Sequence, residues 1–514
     1  MPADTLSPDL LIRALRRNRS RPAVAFGNRV WSAADVAAEI SRYVQAYASW
    51  GIGVGTPVAT LAGNRPEVLL QIGANMISGA RSTALHPMGS LDDHAYIVED
   101  AGIDTLFYDP TTYEQRAFDL IDRVPTLRRV VALAPGAESP DLPTAAARFG
   151  DRPLVRPDVR PESPYQVAYT GGTTGRPKGV VGTWGSQVTL TTILMAEWDW
   201  PLRSRFLCCT PLSHAGRVAF LPTLLREGLF VVESGTDPER ILHAVDQHGI
   251  STTILVPTLI YRLLDALGDR PAPTSLERVY YGASAISPTR IQEAIERLGS
   301  VFFQFYGQAE CPMTVSVLRT DEHTLDDPAR LSSCGRPVPW LDVALLDDDD
   351  VAVGDGDPGE ICVRGPLVMS EYLNQPALTA DAMRNGWLHT GDVARADEDG
   401  YLTIVDRKKD MVISGGFNVY PREVEDVLTS HPAVASAAVI GVPDDRWGEA
   451  VTAVVVRRPT GTVTGRELVD LVRTRKGAVY APKTVRFVDE IPLSPLGKPD
   501  KKTLRATWMS PQNR

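Results

Sequence analysis

Between Tyr169 and Gly179 the chain reads Tyr169-Thr170-Gly171-Gly172-Thr173-Thr174-Gly175-Arg176-Pro177-Lys178-Gly179. Its residue types suit a polyphosphate. Glycines let backbone N–H groups turn towards an anion, threonine hydroxyls add donors, and a lysine brings a mobile positive charge. The spacing is not that of the P-loop, because Pro177 stands where that motif needs Gly and Gly179 where it needs Ser or Thr. Nor is it the dinucleotide spacing of glycines. An ordinary flexible loop has the same composition, so the stretch alone leaves both readings open. The acidic run Asp347 to Asp350, followed by Gly354, Gly356 and Gly359, reads as an exposed turn between strands and is assigned no chemistry.

The elements that must position this loop follow from apolar periodicity. Val36, Ile40, Val44, Tyr47 and Ala48 recur at helical spacing between Asp35 and Trp50, and Gly51 follows where a helix would stop. Thr252 to Val256, Arg278 to Tyr281 and Val301 to Phe305 read as buried strands, with a helical pattern over Pro288 to Leu298. Alternating strand and helix signals predict an α/β fold of parallel sheets covered by helices, of the doubly wound type. In such sheets ligands bind beyond the carboxyl ends of the strands, where Gly282-Ala283-Ser284 and Tyr306-Gly307-Gln308-Ala309-Glu310 fall. After Asp406-Arg407-Lys408-Lys409-Asp410 the texture changes. Pro421 opens a helix, Val434 to Val442 and Val451 to Val456 alternate as strands, and Arg466 to Arg475 is helical. The expected division is a large domain over 1–406, a hinge at 407–409 and a small mobile α+β domain over 410–514.

Composition bounds the function. The chain has 514 residues, and 53 Lys+Arg against 63 Asp+Glu give a net charge of −10. That balance disfavours nucleic acid and anionic membrane surfaces as partners, since both need a basic face. No apolar stretch approaches the roughly 18 residues of a membrane span, and the first 21 residues show no secretory pattern. Five cysteines, two of them adjacent at Cys208 and Cys209, argue against a disulfide framework, so a cytoplasmic location is expected.

Further motifs follow the phosphate loop in order: Pro211-Leu212-Ser213-His214-Ala215-Gly216, Tyr306 to Glu310, Trp387-Leu388-His389-Thr390-Gly391-Asp392, Asp406 to Asp410, Ser414-Gly415-Gly416-Phe417 and Pro495-Leu496-Gly497-Lys498. In this ordered set the sequence resembles the adenylate-forming superfamily of acyl-CoA and aryl-CoA ligases, nonribosomal-peptide adenylation domains and beetle luciferases, over nearly its whole length.

The resemblance implies a two-step reaction. A carboxylate joins the α-phosphate of ATP with release of pyrophosphate, and the thiol of coenzyme A then displaces AMP. Bringing a carboxylate to a polyanion calls for Mg²⁺ and cationic donors. By resemblance, Glu310 would hold Mg²⁺ and the loop Thr170, Gly171, Gly172, Thr173, Thr174, Gly175 to Lys178 would hold the β- and γ-phosphates. Lys498 would bridge substrate carboxylate and α-phosphate; without the family it reads as an exposed lysine on a turn. Asp392 would accept the ribose hydroxyls, with Arg407 near ribose or phosphate, although a Thr-Gly-Asp turn is also an ordinary loop cap. Tyr306 would stack on adenine beside the backbone of Gly282, Ala283, Ser284 and Gly307, or serve as a core aromatic. His214, with Ala215, Gly216 and Ala283, would line the acid pocket, or be a structural histidine. Lys409 matches the hinge, and Gly415 and Gly416 the pantetheine tunnel. Cys311 has no role, because coenzyme A supplies the thiol.

The sequence departs from the family at Ala309, where a threonine usually contacts the α-phosphate. A hydrogen bond to a charged group contributes about 1.5–3 kcal/mol, so its loss would slow adenylation roughly 10- to 150-fold. Thioester formation from a preformed acyl-AMP avoids that step. The alternatives therefore include an enzyme that only converts acyl-AMP, fed by a partner adenylating enzyme, carrier-protein loading, and a non-catalytic acyl-nucleotide binder. Small residues at Ala215, Gly216, Ala283 and Ser284 suggest an open pocket and a medium to bulky acid.

Overall fold

The computed structural model describes residues 5–170, 176–414, 417–444, 446–458, 461–493 and 499–509. Two large sheets carry most of the chain. In one, Arg336–Pro337, Cys311–Leu318, Phe302–Gln308, Arg278–Tyr281, Thr252–Leu255, Arg205–Cys208, Leu229–Val232, Pro22–Phe26 and Arg29–Ser32 lie side by side. In the other the order is Glu371–Tyr372, Lys178–Thr183, Pro164–Thr170, Arg81–Ala84, Pro57–Leu61, Thr105–Tyr108 and Arg129–Ala132.

Both sheets are parallel at their centres. Strands such as Thr252–Leu255 and Leu229–Val232 are buried at every position, as parallel strands covered on both faces must be. The helices that cover them have local causes. Ala33–Ser49 starts at a capping box between Ser32 and Asp35, and Pro288–Leu298 has proline in its first turn and ends at Gly299, whose φ is +83°. The main apolar core runs between the two sheets and includes Trp184, Trp198, Phe206, Phe230 and Tyr280.

The expectation of parallel strands needs one amendment. The strand expected to end at Phe305 continues to Gln308, and Ala309-Glu310 forms a two-residue turn into the antiparallel strand Cys311–Leu318. A reversal that short is possible only between antiparallel neighbours, so the sheet turns back on itself at the carboxylate of Glu310.

A third sheet, Asp342–Leu346, Gly359–Arg364, Leu388–Ala396 and Leu402–Arg407, is wholly antiparallel. Beyond the 3₁₀ turn Lys408–Asp410 the chain forms a fourth sheet from Val412–Ser414, Phe417–Val419, Val434–Asp444, Gly448–Arg457 and Thr484–Phe487. Helices Pro421–Thr429 and Gly465–Lys476 pack on it around a core of their own, with Val424, Leu428, Val451 and Leu468 fully buried. Contacts across the turn are few and specific. Asp406 Oδ2 accepts the Arg422 N–H at 2.9 Å, Asp410 pairs with Arg505 at 3.2 Å, and Tyr420 packs with Val393 and Val405. Among the described residues no helix is long and apolar enough to cross a membrane.

Candidate active site

The residues flanking the glycine-threonine loop are set by a hairpin. Pro164–Thr170 and Lys178–Thr183 are antiparallel, with Thr170 directly opposite Lys178. Gly179 is required there, since a Cβ would stand 2.9 Å from Val167 and 3.0 Å from the Tyr169 ring. The loop residues Gly171, Gly172, Thr173, Thr174 and Gly175 lie outside the described residues, as do Gly415, Gly416 and Lys498.

Lys178 leads to a contact that sequence reasoning missed. Its Nζ lies 3.4 Å from the Tyr372 hydroxyl and 4.5 Å from the ring centroid. The Tyr372 hydroxyl donates at 2.7 Å to Glu310 Oε1. The short strand Glu371–Tyr372 pairs with Lys178–Thr183, Tyr372 opposite Val180, and this addition to the sheet edge carries the phenol across to the hairpin turn of the other sheet. Burial and the Glu310 charge push the Tyr372 hydroxyl well above its ordinary pKa, so it stays a donor. Glu310 is buried at 7% exposure, and Oε2 has no hydrogen-bond partner among the described residues. A hard-oxygen carboxylate with one free oxygen, at the mouth of a loop suited to phosphates, fits Mg²⁺, which takes one or two protein carboxylates and completes its shell with phosphate and water.

Asp392 forms a second node. It lies in Leu388–Ala396 directly opposite Arg407, whose Nε donates to Oδ1 at 3.1 Å, while the Tyr306 hydroxyl donates to Oδ2 at 2.7 Å. The Asp392 charge holds the Arg407 guanidinium above its ordinary pKa. Burial, with Asp392 beside it, raises the Tyr306 phenol. Gln308 Nε2 donates to the Thr390 carbonyl at 3.2 Å, tying the same two strands together. Three residues expected at a nucleotide site from distant motifs thus meet at one carboxylate. Lys409 is exposed one turn beyond.

Gly282 and Gly307 are glycine for close approach. A Cβ would meet the Phe305 carbonyl at 2.4 Å and the Met313 backbone at 2.7 Å respectively. Ala283 adopts φ +68° and is exposed, a conformation that costs a non-glycine residue free energy and gathers at functional sites. Gly216, expected in the acid pocket, packs closely on its Cβ side. A Cβ on it would lie 2.6 Å from the Thr210 carbonyl and 2.7 Å from Cys208 Sγ, so this glycine lets the chain pack against itself.

His214 hydrogen-bonds through Nδ1 to Ser213 Oγ at 2.8 Å and meets the His86 ring edge-on at 4.9 Å. Burial, then His86 and Arg217, pushes its pKa down to about 4, so the ring is neutral at physiological pH. Ala309 lines a cavity with Gln166, Ser186 and Gln187. The acidic run is the exposed turn expected between strands, and it takes part in ion pairs: Lys408 bridges Asp348 at 2.6 Å and Glu360 at 3.3 Å, and Asp350 lies 3.5 Å from His389 Nε2. Glu360, Cys362 and His389 approach closely enough to hold a metal ion, but Lys408 and Arg384 already stand within 4 Å of the Glu360 carboxylate, which accounts for its charge.

Comparison with known proteins follows this geometry. The family described as AMP-binding enzyme matches residues 11–373, and its C-terminal domain matches 423–498. The chain is 47% identical over 513 residues to a medium/long-chain-fatty-acid–CoA ligase, FadD8, of Mycobacterium tuberculosis, covering 97% of this chain and 89% of that protein. Among solved structures it is similar to the amide bond synthetase McbA from Marinactinospora thermotolerans, with TM-score 0.90, 32% identity and coverage of 98% of this chain and 100% of that one. It is equally similar in fold to ATP-bound MatB from Rhodopseudomonas palustris, with TM-score 0.90, 26% identity and coverage of 99% and 100%. A carboxylate ringed by Tyr306 and Arg407, a lysine-flanked loop and the match along both parts of the chain agree, and the chain belongs to the AMP-binding enzyme family, in its adenylate-forming acyl-CoA ligase branch.

Proposed function

We propose that the protein converts a medium to bulky carboxylic acid to its CoA thioester through an acyl-adenylate, with Asp392 receiving the ribose, Thr170 to Lys178 the outer phosphates and Glu310 the Mg²⁺. The observation that carries this reading is the meeting of Tyr306, Asp392 and Arg407, which presents a carboxylate already ordered by two donors to a diol. Mg²⁺, when bound, neutralises charge on the phosphates as pyrophosphate departs. Lys178 sits where it adds to that neutralisation. Tyr372 holds one oxygen of Glu310 and leaves the other for the cation. The neutral His214 ring places no charge beside the acid carboxylate.

The division at 407–409 is part of the proposal. The 3₁₀ turn Lys408–Asp410 joins parts with separate cores, and rotation about Lys409 would exchange the Lys498 segment for the Gly415-Gly416 segment between half-reactions, hinges being short loops that absorb large φ/ψ changes.

Ala309 sets the balance between the two half-reactions. No hydroxyl extends from this position towards a phosphate, so adenylation is the weaker step, and a version of the enzyme fed with acyl-AMP by a partner is the second reading. ATP–pyrophosphate exchange and thioester formation from synthetic acyl-AMP, each in wild type and Ala309→Thr, decide the matter. The expected result is exchange that rises roughly 10- to 150-fold in Ala309→Thr with thioester formation from acyl-AMP unchanged. Brisk wild-type exchange unaltered by the substitution would remove the special role of Ala309. Absence of a thioester from both acid plus ATP and acyl-AMP would remove the ligase reading.

A further inference from the structure

A small cavity at the junction of the two large sheets is lined by residues from Pro57–Leu61, helix Pro66–Ser78, Arg81–Ala84, Pro164–Thr170 and the segment that carries His214. Its interior is about 30 Å³, room for roughly two water molecules at ~10–15 Å³ each. A carboxylate group at the end of a chain fits such a space.

The lining is polar in one sense only. Arg217 reaches into it, and none of the lining residues is acidic. The guanidinium has one hydrogen bond among the described residues, from Nη2 to Gln166 Oε1 at 2.8 Å, and no carboxylate within ion-pair distance. Tyr165, Ser82 and Thr83 line the same cavity. Thr83 is 2% exposed and its Oγ1 has no partner. Charged groups removed from water are ordinarily paired, and a planar guanidinium with free N–H groups matches a carboxylate in two parallel hydrogen bonds. Burial lowers the affinity of Arg217 for its proton. Ala62, Val68, Ile72 and Leu212 are apolar members of the same lining.

We propose that Arg217 is a specificity residue and that the acid substrate carries a second carboxylate, received in this cavity by Arg217 with Tyr165 and Thr83. The inference deepens the acyl-CoA ligase reading and rests on it. The cavity and the expected site of the reacting carboxylate belong to one continuous segment, Leu212 and Ser213 lining the cavity and His214 following them.

The test compares monocarboxylic acids with α,ω-dicarboxylic acids of equal length, from four to sixteen carbons. CoA-thioester kcat/KM is measured for wild type, Arg217→Met and Arg217→Lys, and dicarboxylate binding is measured by titration calorimetry without ATP. Wild type is expected to favour one length of diacid over its monoacid. Arg217→Met should lose the diacid roughly 10- to 150-fold, as for hydrogen bonds to a charged group, with monoacid turnover unchanged. Arg217→Lys should keep part of the preference, because the charge remains and the fork is lost. Preference for hexadecanoic acid over every diacid, or equal loss of both classes in Arg217→Met, would overturn the proposal. If Arg217→Met does not fold, Arg217→Lys and Thr83→Val carry the same comparison, and unaltered diacid preference in both would overturn it. If no acid yields a thioester, the ligase reading fails. Calorimetry still decides the cavity: diacid heat in wild type, absent in Arg217→Met, supports it, and no heat in wild type refutes it.

Discussion

Two arginines, Arg407 and Arg217, differ in how their charges are met. Arg407 lies across a strand pair from Asp392, bonded to it at 3.1 Å, and that carboxylate stabilises its charge. Among the described residues Arg217 has only the Gln166 amide, and burial destabilises its charge. The first is a completed pair, ordered by the protein itself. The second is an incomplete pair. A charged residue with its partner supplied by the chain reports on architecture; one without reports on what the chain is built to receive.

Breaking the completed pair should have the largest effect. Asp392→Asn removes the charge that orients Tyr306 and Arg407 and would accept two ribose hydroxyls. Two hydrogen bonds to a charged acceptor at about 1.5–3 kcal/mol each correspond to about 10²- to 10⁴-fold in kcat/KM for ATP. Pyrophosphate exchange against ATP concentration measures it, and a change below about tenfold would show that Asp392 orders protein alone.

The Lys178–Tyr372–Glu310 contact is another completed arrangement, and its loss should be intermediate. In Tyr372→Phe one donor to Glu310 disappears while the ring remains for Lys178. The Mg²⁺ concentration for half-maximal exchange should shift by roughly tenfold, the value of a hydrogen bond of about 1.5 kcal/mol to a charged acceptor. The direct readout is competition by Mn²⁺ for the same position, followed by its water-proton relaxation in the absence of ATP. An unshifted metal affinity would leave Tyr372 with a packing role.

The smallest effect sharpens the Arg217 end. His214 is depressed to about 4 by burial, His86 and Arg217, so removing the cation in Arg217→Met should raise its pKa modestly, by less than about one unit. The sign for stability follows. The folded state holds this proton less tightly than the unfolded state, whose value is near 6.5, so the unfolded chain binds more protons between the two values. The contribution of neutral His214 is complete above about 6.5 and is lost as pH falls through about 4. His214→Gln should therefore flatten the acid limb of the stability curve in that window. A limb unchanged by the substitution, with the His214 resonance titrating near 6.5, would show the ring to be solvated.

Much of the fold was legible because its signals are local. Pro288–Leu298 begins at a proline and is followed by a glycine, Thr252–Leu255 is a run of β-branched and apolar residues, and the ordered motifs named the family. The site was legible only in part. Asp392 and Arg407 were named separately, but their direct opposition depends on strand register. Tyr372 was missed because its partners are 62 and 194 residues away and nothing beside it distinguishes it from a core aromatic. A local signal for Arg217 did exist: a charge inside the otherwise apolar stretch Ala215 to Leu225. That signal is ambiguous, because an arginine in an apolar stretch also occurs where its stem packs and its head reaches water.

By itself the sequence determined the family, the mixed α/β class, the order of the motifs and the absence of a hydroxyl at Ala309, since each depends on residue type and short-range spacing. Tertiary structure alone decided which charges are paired. Arg407 and Arg217 are the same side chain with the same intrinsic chemistry, and pairing depends on what strand register and sheet packing bring within about 3 Å, over separations that no local pattern encodes.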